Sequence, residues 1–278
     1  MRRKVPFVAG VALLGFLISG GDAPQAQGAN NAPRSGCRLL PTWEQFKAAL
    51  TAATAADNSF LNNHMWGTIV DRDGVVCAVA FTGADRTTQW LGSRVISAQK
   101  ANTGNYFSLP PGSSGTLPGG LALSTANLYT AVQPGGNLFG LQDSNPVATD
   151  VAYSGSPERY GQQNDPMVGG RIGGINVFGG GLPLFDSNRV LIGGLGVSGD
   201  TSCADHNVAY RSRNLLALDW VPLDQGPVIS GDATRRDSIV YDIVSQPGQM
   251  PGVSASGWGH PTCFAPDVAS SAALPSNK

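Results

Sequence analysis

Two apolar runs separated by a polar turn dominate residues 169–200. The runs, Gly180–Phe185 and Arg189–Val197, flank Asp186-Ser187-Asn188, whose side chains hydrogen-bond the neighbouring backbone and so tolerate tight turns. This pattern predicts a β-hairpin. Glycine is dense on both runs, and a strand glycine usually marks a bend or the close approach of a backbone or ligand. We therefore expect one face of this sheet to stay open.

Apolar positions at helical spacing predict three helices. One begins at Gly199-Asp200-Thr201-Ser202, where polar residues can cap it, and its apolar face follows: Ala204, Val208, Ser212, Leu215 and Leu216. Another begins at Thr42, with Gln45 closing a capping box, and ends near Asp57-Asn58. The third runs from Ser93 to about Phe107.

A second hairpin is predicted from Gly67–Asp71 and Val75–Phe81, because Asp73-Gly74 between them is a strong turn signal. The order of elements is then helix, hairpin, helix, long excursion, hairpin, helix. This order is typical of an α+β fold with an antiparallel sheet and helices packed mainly on one face.

Long irregular segments surround these elements. Residues 109–167 contain many Gly, Pro, Ser, Asn and Gln residues but only short apolar clusters. So long an excursion is either functional, as a lid or an oligomer contact, or simply irregular. The chain from Asp219 is similarly irregular, and we expect 265–278 to be mobile. We predict one domain over 36–264, with an insertion at 109–167 and a C-terminal extension at 219–278.

The N-terminus has the features of an export signal. A basic segment, Arg2-Arg3-Lys4, precedes the apolar run Val5–Ser19 and the small-residue cleavage pattern Ala26-Gln27-Gly28. The apolar run is shorter than the roughly 20 residues that a membrane span needs. We therefore predict a signal peptide at 1–28 and a periplasmic or secreted protein with no membrane span after its removal.

The composition limits the class of partner. Charged residues are 13% of the chain and the net charge is −1, so a surface for nucleic acid is not expected. The 37 glycines and 19 prolines indicate many loops, whereas 41% hydrophobic residues support a folded core.

Four cysteines leave two chemical possibilities. Cys37, Cys77, Cys203 and Cys263 are an even set, and in an oxidising compartment an even set favours two disulfides. We favour Cys203 with Cys263, which leaves Cys37 with Cys77. The alternative is a tetrahedral zinc site, because two mirror-image pairs could meet: Cys203, His206, His260 and Cys263.

Four segments together resemble the GlcG/HbpS-like haem-binding (haem-degrading) family. They are Ile69-Val70-Asp71-x-x-Gly74, Ser97-x-x-Lys100-Ala101-x-Thr103, Gly179–Leu184 and Gly194–Gly199. The resemblance implies a profilin-like sheet-and-helix domain, often in a homo-oligomer, whose members bind haem or a related planar ligand. It carries over no axial haem ligand, and this chain is much longer than the usual domain.

Several side chains are candidates for haem contact. Iron accepts His, Met or Tyr as an axial ligand, and the candidates are His64, Met65, Tyr160, Met167 and His206. Haem propionates could pair with Arg94, Lys100 or Arg171. The chain has no C-x-x-C-H motif, so we expect any haem to be bound without covalent attachment.

Other functions remain open. The protein could be a non-catalytic structural or interaction module that forms homo-oligomers, or an enzyme acting on a small hydroxy acid or aldehyde. Gly194-x-Gly196-x-x-Gly199 matches a dinucleotide fingerprint, but its strand belongs to an antiparallel hairpin. Ser198 lacks the spacing of a hydrolase nucleophile elbow, and the sequence identifies no partner for any histidine.

Overall fold

A four-stranded antiparallel sheet forms the centre of the protein. The computed structural model describes residues 36–113, 117–222, 228–246 and 249–278. The sheet contains β1 (Trp66–Asp71), β2 (Val76–Phe81), β3 (Gly181–Phe185) and β4 (Leu191–Ser198) in the order β2-β1-β4-β3. Both predicted hairpins are confirmed, and the antiparallel pairing of β1 with β4 joins them.

Three helices of 13 or 14 residues match the predicted ones: α1 (Trp43–Ala55), α2 (Ser93–Tyr106) and α4 (Ser202–Leu215). At the start of α1, the Thr42 hydroxyl accepts a hydrogen bond from the Gln45 N–H, and the Gln45 side-chain oxygen accepts one from the Thr42 N–H. This confirms the capping box. At the start of α4, Thr201 is the N-cap and accepts the Ala204 N–H.

The helices cover both faces of the sheet. Helices α1 and α4 share one face, where Phe46 and Val208 belong to the same apolar cluster as Ile69 and Leu195. Helix α2 lies on the other face, packed on β1, β4 and β3, and its Ala98 belongs to the apolar cluster of that face. The α+β class is confirmed, with two of the three long helices on one face. The expectation of an open face is wrong.

Glycines let α2 approach the sheet closely. A β-carbon on Gly196 would collide with the Ser97 carbonyl oxygen, and one on Gly194 would collide with the Ala101 carbonyl oxygen. A β-carbon on Gly104 of the helix would lie 2.8 Å from the Leu182 nitrogen of β3. The strand glycines that suggested a ligand surface are therefore in close contact with the backbone of α2.

The excursion, residues 109–167, packs on the part of the sheet face that α2 does not cover. Its regular elements are α3 (Thr149–Ala152) and single turns of 3₁₀ helix. Ala152 and Met167 are fully buried in the cluster that contains Trp66 and Phe81, and a β-carbon on Gly161 would lie 2.8 Å from the Trp66 ring. These residues are thus part of the core. A role as lid or oligomer contact stays a prediction.

The chain after Asp219 forms a small hairpin, β5 (Ile243–Gln246) and β6 (Gln249–Ser254), and a last helix, α5 (Ala265–Ala272). The Asp267 carboxylate accepts the Phe60 N–H at 2.9 Å and the Thr201 hydroxyl at 2.6 Å. The expectation of a mobile 265–278 is wrong, because a buried carboxylate fastens α5 to the domain. The domain bounds proposed above stay a prediction.

No helix within the described ranges has the length and hydropathy to cross a membrane. The predicted signal peptide, 1–28, lies outside the described residues.

Replacing Gly196 by alanine tests the close approach of α2. The Gly196→Ala variant should lose about 1–3 kcal/mol of unfolding free energy, because the added methyl group overpacks a contact between two backbones. Denaturant titration with the disulfides intact measures the change. Gly92→Ala is the matched control, since a β-carbon there meets nothing within 4 Å, and it should change stability by less than about 1 kcal/mol. Equal losses in both variants would contradict this account of the glycines.

Candidate functional site

Lys100 lies in the interior, between α2, β4 and α4. Its Nζ donates to Asp205 Oδ2 at 2.7 Å and to the Val197 carbonyl oxygen at 3.2 Å, and both charged side chains are buried. Burial lowers the pKa of the Lys100 ammonium and raises the pKa of Asp205 to about 6. A haem propionate could reach Lys100 only by displacing Asp205.

The turn before α4 holds a second buried carboxylate. Asp200 accepts the Asn63 N–H at 2.9 Å and the Ser59 hydroxyl at 3.1 Å, while its own N–H donates to Asp205 at 2.8 Å. These bonds join the loop before β1 to the start of α4. They position His64, whose carbonyl oxygen packs against Gly199.

His206 is buried inside the protein. Its side chain is fully enclosed, and neither ring nitrogen has a hydrogen-bond partner among the described residues. Burial lowers the pKa of His206 to about 3, so the ring is neutral at pH 7. Its position within the core separates it from any ligand at the surface.

The two disulfides that the sequence favoured are present. Cys37 is bonded to Cys77 with a Cα–Cα distance of 5.4 Å, and Cys203 to Cys263 with 6.1 Å. The alternative of a zinc site is wrong for the disulfide-bonded protein, because the Cys203 and Cys263 sulfurs that would bind zinc are bonded to each other. His260 lies beside the second disulfide, but His206 is not part of that group.

The other candidates are dispersed. Met65 and Met167 are buried in opposite apolar clusters. Arg94 pairs with buried Asp165 and stacks on the Tyr160 ring, with 3.6 Å between its Cζ and the ring centroid. Arg171 is exposed and donates to the Asp73 carbonyl oxygen at 2.8 Å, in the β1–β2 turn.

His64 is the exposed histidine at the opposite end of this hairpin. Its Nδ1 lies 3.3 Å from Thr82 Oγ1, which also accepts the Met65 N–H at 2.9 Å. Strand β1 has six residues, which at about 3.3 Å per residue span about 20 Å. His64 and Arg171 are therefore too far apart to be adjacent ligands of one haem iron and propionate.

Exposed apolar side chains gather on the loops around His64. We call this region the His64 end of the sheet; it comprises 57–64, 82–92 and the turn 199–201, with Phe264 packed against it. The Phe60 and Phe264 rings are 4.5 Å apart. Five large apolar side chains there are 41–62% exposed: Phe60, Leu61, Trp90, Leu91 and Phe264. Exposed apolar side chains mark ligand or partner surfaces where they form a contiguous patch, and the Phe60–Phe264 contact is such a pair.

Internal hydrogen bonds order the loop 82–92, which carries Trp90 and Leu91. Gln89 is buried and accepts the Gly83 N–H at 3.1 Å, while its amide donates to the Asp85 carbonyl oxygen at 2.5 Å. Trp90 and Leu91 follow directly and point outward. The exposed surface therefore belongs to an ordered loop.

Sequence reasoning missed one pair of polar side chains at this end. Ser202 Oγ lies 2.7 Å from His260 Nε2, although 58 residues separate them. The mirror-image spacing of Cys203-x-x-His206 and His260-x-x-Cys263 did indicate that the two segments meet. It could not show which side chains besides the cysteines would touch.

Comparison with known proteins identifies one family. The model of a family described as "Haem degrading protein HbpS-like" matches residues 42–213. None of the curated proteins searched matches the chain.

Solved structures with a similar fold were also found. Klebsiella pneumoniae ORFY is 23% identical, with coverage of 62% of this chain and 86% of that one and a TM-score of 0.40. A PduOC:haem complex is 22% identical, with coverage of 62% and 89% and a TM-score of 0.39. A double mutant of Streptomyces reticuli HbpS is 17% identical, with coverage of 70% and 98% and a TM-score of 0.39.

The neutral, buried His206 should make the fold sensitive to acid. Its pKa is about 3 in the folded protein, against an ordinary value of 6.5, so between these values the unfolded chain binds a proton that the folded chain does not. The stability that neutral, buried His206 contributes is therefore fully present above pH 6.5. As the pH decreases below that value, the unfolding free energy decreases by up to about 1.4 kcal/mol per pH unit.

Replacing His206 by leucine should flatten this dependence. Between pH 6 and pH 4 the wild type should lose about 2–3 kcal/mol more unfolding free energy than His206→Leu, as measured by denaturant titration at each pH. Asp205 titrates in both proteins, so it cancels in the difference. His64→Ala is the control and should follow the wild type. Parallel curves for the wild type and His206→Leu would disprove the role of His206.

Proposed function

The chain belongs to the HbpS-like family of haem-degrading proteins, and from this we propose that it binds haem or a similar planar ligand at the His64 end of the sheet. The observation that carries the proposal is the exposed imidazole of His64 among exposed aromatic and aliphatic side chains. Among the described residues, α2 and the excursion fill the sheet face whose glycines suggested a ligand site.

The His64 ring is suited to bind a haem iron. Thr82 Oγ1 can accept a hydrogen bond from Nδ1–H, which leaves the Nε2 lone pair free. Histidine ligands of metals usually donate their other N–H to an oxygen in this way, and the bond orients the ring. Haem iron accepts a histidine nitrogen as an axial ligand.

The surroundings of His64 match the other parts of a haem. The Phe60–Phe264 pair and Trp90 offer aromatic surface for the macrocycle, and apolar side chains dominate most ligand sites. Arg86 lies on the same loop as Trp90, so a guanidinium is available for a propionate. When bound, haem would supply redox and oxygen chemistry, and these residues would hold and orient it.

We further propose that the protein is exported. The N-terminal pattern of basic, apolar and small residues is that of a cleaved signal, and two disulfides are stable in an oxidising compartment. Assembly into a homo-oligomer, expected from the family resemblance, stays part of the proposal.

A hemin titration tests the ligand and its position. Absorbance should show a saturable Soret shift in the wild type. His64→Ala should weaken binding at least tenfold, about 1.4 kcal/mol, because the axial nitrogen is lost. Thr82→Val should weaken binding less, because it removes only the bond that orients the ring.

Arg171→Ala is the matched control, since it removes an exposed charge about 20 Å away, at the other end of the hairpin. It should bind hemin like the wild type. Absence of any saturable shift in the wild type would end the haem proposal. Equal binding by the wild type and His64→Ala would retain a haem protein but remove His64 as its ligand.

A further inference from the structure

Ser202 and His260 form a hydrogen-bonded pair that haem binding does not use. Their Oγ–Nε2 distance is 2.7 Å, within the range in which a general base takes a proton from a nucleophile. Ser202 is the first residue of α4 and His260 lies in the segment between β6 and α5. The pair is thus assembled from two distant parts of the chain.

The hydrogen bonds decide which atom of the pair carries the proton. His260 Nδ1 lies 2.7 Å from the Pro261 carbonyl oxygen, which can only accept. Nδ1 must therefore carry the ring hydrogen, and Nε2 is the acceptor. It follows that the Ser202 O–H donates to Nε2. This is the arrangement of a serine nucleophile and its base, with a backbone carbonyl in the place of the usual carboxylate.

Surrounding contacts hold both side chains in place. The Gly179 N–H donates to Ser202 Oγ at 2.6 Å, and the His260 N–H donates to the Val240 carbonyl oxygen at 2.8 Å. The Cys203–Cys263 disulfide ties the residue after Ser202 to the segment that carries His260. The Tyr129 ring packs beside the imidazole, with 5.2 Å between the ring centroids.

The two residues differ in exposure as their roles require. His260 is almost fully buried, whereas Ser202, at the start of α4, is only partly buried. Two exposed aromatic rings are neighbours in sequence of residues that hold the pair. Phe178 directly precedes Gly179, and Phe264 directly follows Cys263. The chemical class that fits is a small ester with an apolar acyl group.

We propose that Ser202 and His260 act as nucleophile and general base in the hydrolysis of small esters. The Ser202 oxygen attacks the carbonyl carbon while its proton passes to His260 Nε2. The C–O bond to the alcohol then breaks, and the leaving oxygen takes the proton from Nε2. Water hydrolyses the acyl-serine by the same transfers and releases the carboxylic acid.

The first turn of α4 can stabilise the charge that develops on the ester oxygen. The Cys203 N–H lies in that turn, where a helix offers no internal acceptor, and it directly follows the nucleophile. The helix dipole also favours negative charge at this position. An N–H aimed at a developing oxyanion is usually a large contribution to acyl transfer.

Reaction should be slow and should persist in mild acid. Burial lowers the pKa of His260 to about 4, so the ring is neutral and able to accept a proton at every pH well above 4. A base with so low a pKa is weak, because base catalysis is most effective near the operating pH. Covalent labelling is therefore a better first measurement than turnover.

A fluorophosphonate probe on the purified full chain tests the proposal. Intact mass and peptide mapping should find one adduct, on Ser202, with both disulfides retained. Labelling and p-nitrophenyl acetate hydrolysis should fall at least tenfold in Ser202→Ala and in His260→Gln. The labelling rate should be half-maximal near pH 4 and level above about pH 6. Ser187→Ala is the matched control, an exposed serine at a hairpin turn, and should react like the wild type.

Each other outcome overturns the proposal. A wild-type protein that keeps its fold, by circular dichroism, but takes no label has no nucleophile at Ser202. Labelling spread over several serines, or unchanged by His260→Gln, shows that the hydrogen bond is only structural. Peptide mapping of the wild type decides this even if a variant does not fold. The hemin titration is a separate test, because its variants are at His64 and Thr82, and neither residue belongs to the Ser202–His260 pair.

Discussion

Helix α2 lies on the sheet with backbone against backbone, and many other contacts in the protein follow from this short distance. Gly194 and Gly196 of β4 leave no side chain between the strand and the helix, and Gly104 does the same from the helix side. Polar groups then meet where apolar side chains would normally separate the layers, as in the 2.7 Å contact between the Thr68 and Ser97 hydroxyls. A core of this kind depends on satisfied hydrogen bonds as well as on apolar burial.

Three cations of helices α2 and α4 are also buried. Lys100 and Arg94 lie on α2 and Arg213 lies on α4, and each has a buried carboxylate partner. The partners come from different segments: Asp205 from α4, Asp165 from the excursion and Asp237 from the tail. A buried charge without its partner is strongly destabilising. The two irregular segments are therefore needed to neutralise the core as well as to cover it.

The sequence predicted the parts of the fold that depend on local patterns. The capping box at Thr42, the turn at Asp73-Gly74 and the apolar spacing after Thr201 each act over a few residues, and all three correspond to observed elements. The prediction of an open sheet face was wrong because a high density of glycine does not show whether a ligand or a helix packs against the strand. The mobile tail was wrong because Asp267 bonds to Phe60 and Thr201, contacts that a local pattern does not contain.

The candidate site shows the same limit. His64 could be named from the sequence, because a histidine in a loop before a strand is a local feature. Its setting could not, since the Phe60–Phe264 contact and the Thr82 hydrogen bond join residues that are distant in the chain. His206 had the same standing as His64 in the sequence, yet it lies inside the protein. Burial separated two residues that composition and spacing had left equal.

The two proposed activities differ in how far they can extend through the family. The family match ends at residue 213, so His64, Thr82 and Ser202 lie within it, whereas His260 and Phe264 lie in the tail beyond it. Haem contact through His64 needs only the matched region, apart from the Phe264 ring. The Ser202–His260 pair needs the tail and the Cys203–Cys263 disulfide that holds it. The added chain therefore does more than cover the core, since it places His260 Nε2 2.7 Å from Ser202 Oγ.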